Sequence, residues 1–295
     1  MSRRGRSRPR EPRSLARWLP VIVVVAVVAV AVAAGFVYLE GRSSSTEQQS
    51  WSRLGTSDVH ALAFIDNDPQ RLIFGHHGGL RTSSDGGRTW QALASGADAM
   101  ALSAVGPDSV VIAGHGVLGA SVDGGRTIVP VSNNLPSDDI HGFTRDPAQP
   151  ARMWAAIATG GVFETVDGGS TWVAVREDSV FNLVAIRRDG GTQLLGVDAS
   201  GLITSPDGGR SWSPLATPPT YPMTALAGSA DGQVLYAGST SSLHRSTDGG
   251  RSWTETTYRG SVFALAAVGD SVALVSQDTE FFRSEDRGQT FAGSH

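Results

Sequence analysis

One eight-residue pattern occurs six times in the C-terminal three quarters of the chain. It reads SSDGGRTW at residues 83–90, SVDGGRTI around Asp123, TVDGGSTW around Asp167, SPDGGRSW around Asp207, STDGGRSW around Asp248 and SEDRGQTF around Asp286. The gaps between successive aspartates are 38, 44, 40, 41 and 38 residues. A period near 40 with one fixed corner marks a ring or stack of equal supersecondary units. The residue types explain the corner. An aspartate accepts backbone N–H bonds in a tight turn, and paired glycines reach backbone angles closed to residues with a Cβ. Ser and Thr hydroxyls add local bonds, and the closing aromatic anchors the turn on an apolar surface.

Between corners each unit reads as short strands. Unit one has VHALAFI, RLIFGHH and GLRTSS before its corner and TWQAL after it; unit five has MTALAGS, VLYAGS, SLHRS and SWTET. The 36 glycines among 295 residues fit many tight turns, and no long helical period follows residue 40. Four strands per unit, arranged radially, predict an all-β fold, a six-bladed β-propeller, with seven blades as the alternative. Residues 51–54 (WSRL) look like the segment that follows a corner, and the last unit has little chain after its own. Residues 51–54 are therefore expected to supply the outer strand of the last blade, closing the ring and covering a sheet edge.

The six corners resemble the Asp-box, or BNR repeat. It is found in sialidases, xyloglucanase-type glycosyl hydrolases, sortilin-like receptors and photosystem II assembly-factor propellers. The resemblance spans about residues 51–295. It implies that Asp85, Asp123, Asp167, Asp207, Asp248 and Asp286 are structural, since a catalytic acid is needed once or twice rather than six times. It also implies that the first strand of each blade lines a central channel, and that the corners lie on the face away from any active site. The working face is then built by the fourth-to-first and second-to-third strand connections.

On that face the sequence places Asp58 and His60, Asp138 to His141, and residues 178–182 at first-strand entries. His76, His77, His115, Asp198 and Asp278 stand at second-strand exits. Imidazole beside carboxylate suits a transition-metal or acid–base set. His60, His76, His77, His115 and His141 are therefore the candidate ligand-binding residues, for a divalent metal ion or an anionic ligand. The alternative is a glycoside hydrolase, with Asp58, Asp139, Asp178, Asp198 and Asp278 as candidate catalytic carboxylates. A sialidase-like site would need an arginine triad for the substrate carboxylate. Here Arg88, Arg126, Arg210 and Arg251 sit in the corners, and Arg71, Arg152, Arg187 and Arg188 in first-to-second-strand loops, all on the opposite face. Arg259 is one of few near the right face, and Tyr221 and Tyr258 are the nearest candidates for a tyrosine nucleophile.

The N-terminal part is of another kind. Residues 19–39 carry no charge and follow seven arginines within residues 1–17. About 20 apolar residues suffice to cross a hydrocarbon core, and flanking arginines hold their side in the cytoplasm. The expected organisation is a cytoplasmic Arg-rich tail (1–17), a transmembrane signal-anchor helix (18–39), a polar linker (40–50) and an extracytoplasmic propeller (51–295). A cleaved signal peptide is the other reading, since Ala31-Val32-Ala33 resembles a cleavage site. All 24 cations are arginine, and residues 40–295 carry a net charge of −10, which argues against a nucleic-acid partner. With no cysteine, disulfides and thiolate metal sites are excluded. The chain is thus expected in the cell membrane as a single-pass protein, binding a cell-envelope glycan or a protein partner.

Overall fold

The computed structural model describes residues 50–215, 222–229 and 231–291. The Arg-rich tail, the expected span, nearly all of the linker and Tyr221 lie outside the described residues. Among the described residues, no helix is long and apolar enough to cross a membrane.

The chain opens with β1 (Ser52–Arg53). Blade one is β2 (Ala61–Phe64), β3 (Leu72–His76), β4 (Gly79–Ser83) and β5 (Gln91–Ala92). Blade two is β6 (Ala99–Ala104), β7 (Val110–Gly114), β8 (Val117–Ser121) and β9 (Val129–Pro130). Blade three is β10 (Ile140–Arg145), β11 (Met153–Ile157), β12 (Val162–Thr165) and β13 (Val173–Arg176). Blade four is β14 (Phe181–Arg188), β15 (Gly191–Asp198), β16 (Gly201–Ser205) and β17 (Ser213–Pro214). Blade five is β18 (Met223–Gly228), β19 (Leu235–Ser239), β20 (Ser242–Ser246) and β21 (Thr254–Arg259). Blade six adds β22 (Ala264–Val268), β23 (Ser271–Val275) and β24 (Glu280–Ser284).

Each blade is a four-stranded antiparallel meander, and the described residues form six such sheets. Blade six takes its fourth strand from the start of the chain, in the order β1-β24-β23-β22. Ser52 pairs with Phe281 and Arg53 with Glu280; the Trp51 and Leu54 N–H groups donate to the Phe281 and Thr279 carbonyls at 2.8 and 2.9 Å. The expected closure by residues 51–54 is therefore present, and the ring has six blades rather than seven.

The apolar core falls into six clusters, each joining two neighbouring blades. Second strands such as β7, β11, β19 and β23 are buried along their whole length. They are covered on both faces by adjacent blades, which is why they read as continuous apolar runs rather than alternating ones.

The corners are built alike. In the first, the Ser83 hydroxyl donates to Asp85 Oδ1 at 2.8 Å and accepts the Gly87 N–H at 2.8 Å. The Thr89 N–H and hydroxyl donate to the two Asp85 oxygens at 2.9 and 2.6 Å. Gly86 and Gly87 stand at φ 72° and 87°, in the left-handed region that favours glycine. The closing Trp90 indole donates to the Gly87 carbonyl at 3.1 Å, and its ring meets Phe281 of blade six edge-on, with centroids 5.3 Å apart.

Arginines fasten every interface between blades at this corner-bearing end. Arg283 reaches the Gly86 carbonyl at 3.1 Å, Arg71 reaches Asp108 at 2.5 Å, and Arg145 reaches Ser109 at 3.0 Å. Arg210 reaches Glu164 at 2.6 Å, Arg188 the Gly249 carbonyl at 2.8 Å, and Arg245 the Arg287 carbonyl at 3.0 Å. The arginines concentrated on this face thus clamp one blade to the next.

Candidate functional site

At the opposite end, the connections entering first strands and leaving second strands gather imidazoles and carboxylates from blades one to three. Asp58 and His60 precede β2; His77 follows β3; Asp98 precedes β6; His115 follows β7; Asp139 precedes β10, and His141 is its second residue. The donor atoms fall into three overlapping groups, each within 4.8 Å: Asp58, His60 and His77; His77, Asp98 and His115; His115, Asp139 and His141. Together they form one row along the rim.

Local backbone features aim these side chains. The His77 N–H donates to Asp58 Oδ1 at 2.9 Å, tying the turn after β3 to the entry of β2. His141 is the extra residue of a β-bulge: Ile140 pairs with Ile157 and Gly142 with Ala156, leaving His141 without an opposite partner. Bulges of this kind re-aim a side chain at a sheet end. Gly114 pairs with Ala99, and a Cβ there would collide with the Asp98 carbonyl, so glycine allows the Asp98 backbone its close approach.

The distances separate the groups. His60 Nε2 and His77 Nδ1 are 2.7 Å apart with their rings edge-on, the separation of a hydrogen bond between two imidazoles. Asp58 stands 3.5 Å from His60 Nε2 and 3.3 Å from His77 Nδ1. His115 Nδ1 lies 2.9 Å from Asp98 Oδ2, and His77 Nε2 lies 3.8 Å from the same oxygen. His115 Nε2 is 3.3 Å from both His141 Nε2 and Asp139 Oδ1, and His141 Nε2 is 2.9 Å from Asp139 Oδ1. The buried Asp98 Oδ1 has no hydrogen-bond partner.

Burial, with the His77 ring adding to it, pushes the His60 imidazole below its usual range, against the opposing pull of Asp58 and Asp98. For Asp58, burial acts upward and is outweighed by hydrogen bonds from the His77 N–H and the Ser57 and His77 side chains, so its carboxyl titrates lower than usual. A general acid at neutral pH needs the reverse shift.

The sequence-derived candidates are thus distributed as follows. His60, His77, His115 and His141 come together, with Asp58 and Asp139. His76 faces away: its Nδ1 accepts the Gly78 N–H at 3.0 Å and its ring stacks on Phe74 at 5.9 Å, and burial pushes its imidazole down. Asp198 and Asp178 pair with Arg176 of blade three at 3.0 and 3.6 Å, and Asp278 lies in the turn after β23, outside these groups. Tyr258 is buried in the core cluster between blades five and six, its hydroxyl donating to the Ser261 carbonyl at 2.9 Å. Asp98 was not among the candidates. Its signal was the repeat itself: Asp58-x-His60, Asp98-x-Met100 and Asp139-x-His141 recur at intervals of 40 and 41 residues.

No curated protein matches the chain. Among solved structures, YCF48 from Cyanidioschyzon merolae is similar over 82% of this chain and 87% of that one, at 19% identity and a TM-score of 0.54. YCF48 bound to D1 peptide is similar over 82% and 98%, at 15% identity and a TM-score of 0.52. The GH74 xyloglucanase from Xanthomonas campestris is similar over 83% of this chain but only 46% of its own length, at 18% identity and a TM-score of 0.56. These likenesses are of fold. The family model for photosynthesis system II assembly factor YCF48 matches residues 43–292, so the chain belongs to that family.

Proposed function

We propose that the protein is a membrane-anchored, extracytoplasmic propeller that docks a protein partner on its histidine-bearing face. The observation that carries this reading is the continuous row of four imidazoles and three carboxylates at the rim. Its members are part-exposed, with side-chain exposures from 16% for His60 to 49% for His77, so the row is available to a partner. The other end of the ring is occupied with its own scaffolding, the corners and interblade arginines. A structure of a YCF48 in complex with a D1 peptide supports a peptide-binding use of this fold. The uncharged stretch at residues 19–39 behind seven arginines supports the anchor and its orientation.

Site-specific photo-crosslinking in intact cells tests the docking face. A photoreactive residue at Thr159, in the exposed turn that corresponds in blade three to His77 and His115, is expected to yield a discrete adduct. One at Val122, 85% exposed beside the second corner, is expected to yield none. The adduct should disappear in a His77→Ala/His115→Ala background. Equal adducts from both faces, or an adduct indifferent to the histidines, would overturn the assignment. Alkaline washing of membranes tests the anchor: the full chain should stay in the pellet, and a chain lacking residues 1–45 should be released.

A further inference from the structure

The geometry points to a divalent transition-metal site formed by His115 Nε2, His141 Nε2 and Asp139 Oδ1, with Asp98 as the outer carboxylate that orients His115. The inference stands on ligand geometry and needs no partner protein.

Four ligands placed tetrahedrally at the usual 2.0–2.1 Å around zinc are about 3.3 Å from one another. The three donor atoms here stand 3.3, 3.3 and 2.9 Å apart. Two of the separations match an edge of such a tetrahedron, and the third, His141 Nε2 to Asp139 Oδ1, is a hydrogen-bond distance that opens to an edge with a shift of about 0.4 Å. The neighbouring group containing His60 and His77 differs. Its two nitrogens at 2.7 Å are nearer than two ligands of one ion stand, and a hydrogen bond between the rings accounts for them.

The proton arrangement favours the same group. Asp98 Oδ2 at 2.9 Å takes the Nδ1–H of His115, which leaves the lone pair on Nε2, directed toward Asp139 and His141. A carboxylate behind a metal-bound imidazole is the usual device for fixing its tautomer and strengthening it as a ligand. The other Asp98 oxygen is buried and has no hydrogen-bond partner among the described residues, and the next imidazole, His77 Nε2, stands farther from the carboxylate at 3.8 Å.

The donor set selects the class of ion. Two imidazoles and one carboxylate suit zinc and its neighbours, whereas calcium and magnesium take oxygen ligands. Three protein ligands also leave one position open toward solvent. His115 and Asp139 have side-chain exposures of 40% and 41%, so water or an external donor can reach that position.

The test uses the full chain purified in detergent, stripped of metal and titrated with Zn2+, and separately with Co2+ as a spectroscopic reporter. The expected result is one tightly held ion whose cobalt form shows the intense visible bands of a tetrahedral site. His115→Ala and His141→Ala should each abolish it, while His76→Ala and His60→Ala should retain it. Asp98→Asn should keep the cobalt bands but weaken zinc binding about 10–100-fold, as loss of an orienting partner does. Circular dichroism of the variants verifies that they are folded. A weak octahedral cobalt spectrum, no retained zinc, or equal binding by His141→Ala would overturn the site.

Discussion

The sixth corner breaks the glycine pair that the other five share. Arg287 stands where the others have their first glycine, at φ 60°, while its Nε donates to Asp270 Oδ1 at 2.6 Å. A residue with a Cβ in the left-handed region gives up roughly 1–2 kcal/mol relative to glycine, whereas an exposed ion pair returns about 0–1 kcal/mol. Arg287→Gly is therefore expected to stabilise the protein by about 1 kcal/mol, read as a higher urea midpoint with an unchanged slope. The adjacent pair His76-His77 shows what residue types alone leave undecided. Both histidines stand at the end of one strand, and the sequence treats them equally. The structure separates them because side chains alternate along β3, and because Asp58 captures the His77 N–H and turns that residue to the rim. Asp98 was hidden for a related reason. The residue two places on, Met100, is not histidine, so the Asp-x-His pattern breaks in blade two while the backbone geometry continues.

Among the elements, the two-residue strand β1 has an effect out of proportion to its length. Leu54, just beyond it, is 2% exposed and packs with Phe281, Phe74 and Ala264 in the cluster shared by blades six and one. Leu54→Ala is expected to cost about 2–4 kcal/mol through lost burial and the cavity left behind. A fall in melting temperature of several degrees, with the blade-one histidine face still intact, would verify this; a change within error would show that closure does not depend on this packing. The strand was legible in the sequence because WSRL imitates the segments that follow the corners. The blade count and the closure followed from the same repeat, and the separation of the two faces from what its resemblance to the Asp-box implies. What the repeat could not convey was register: the bulge at His141 depends on how β10 meets β11, and this cross-strand fact leaves no mark in the local sequence.

For the whole molecule, six equivalent carboxylates make stability respond to acid collectively. The carboxyls of Asp85, Asp123, Asp167 and Asp207 are pulled down to about 2, and those of Asp248 and Asp286 are also lowered. For Asp123 and Asp167 the backbone N–H groups of Thr127 and Thr171 lead the shift. For Asp85 and Asp207 burial acts upward and is outweighed by hydrogen bonds from Thr89 and Ser211. An unfolded aspartate titrates near 3.9, so between roughly pH 4 and 2 the unfolded chain binds more protons than the folded one. The stabilisation is complete above that window and lost as pH falls through it. Tryptophan fluorescence should report cooperative unfolding within the window, with a shallower pH dependence in Asp207→Asn. Unfolding centred above pH 5 would mean that other groups govern acid stability.

Joining residue 52 to residue 281 also sets an order of events during biosynthesis. Ser52 leaves the ribosome early, yet its mate is made some 230 residues later. Until then the nascent chain holds two unsatisfied sheet borders, and a product that stops short of Phe281 keeps them permanently. Closing the circle thus waits until both ends of this one pairing have been made.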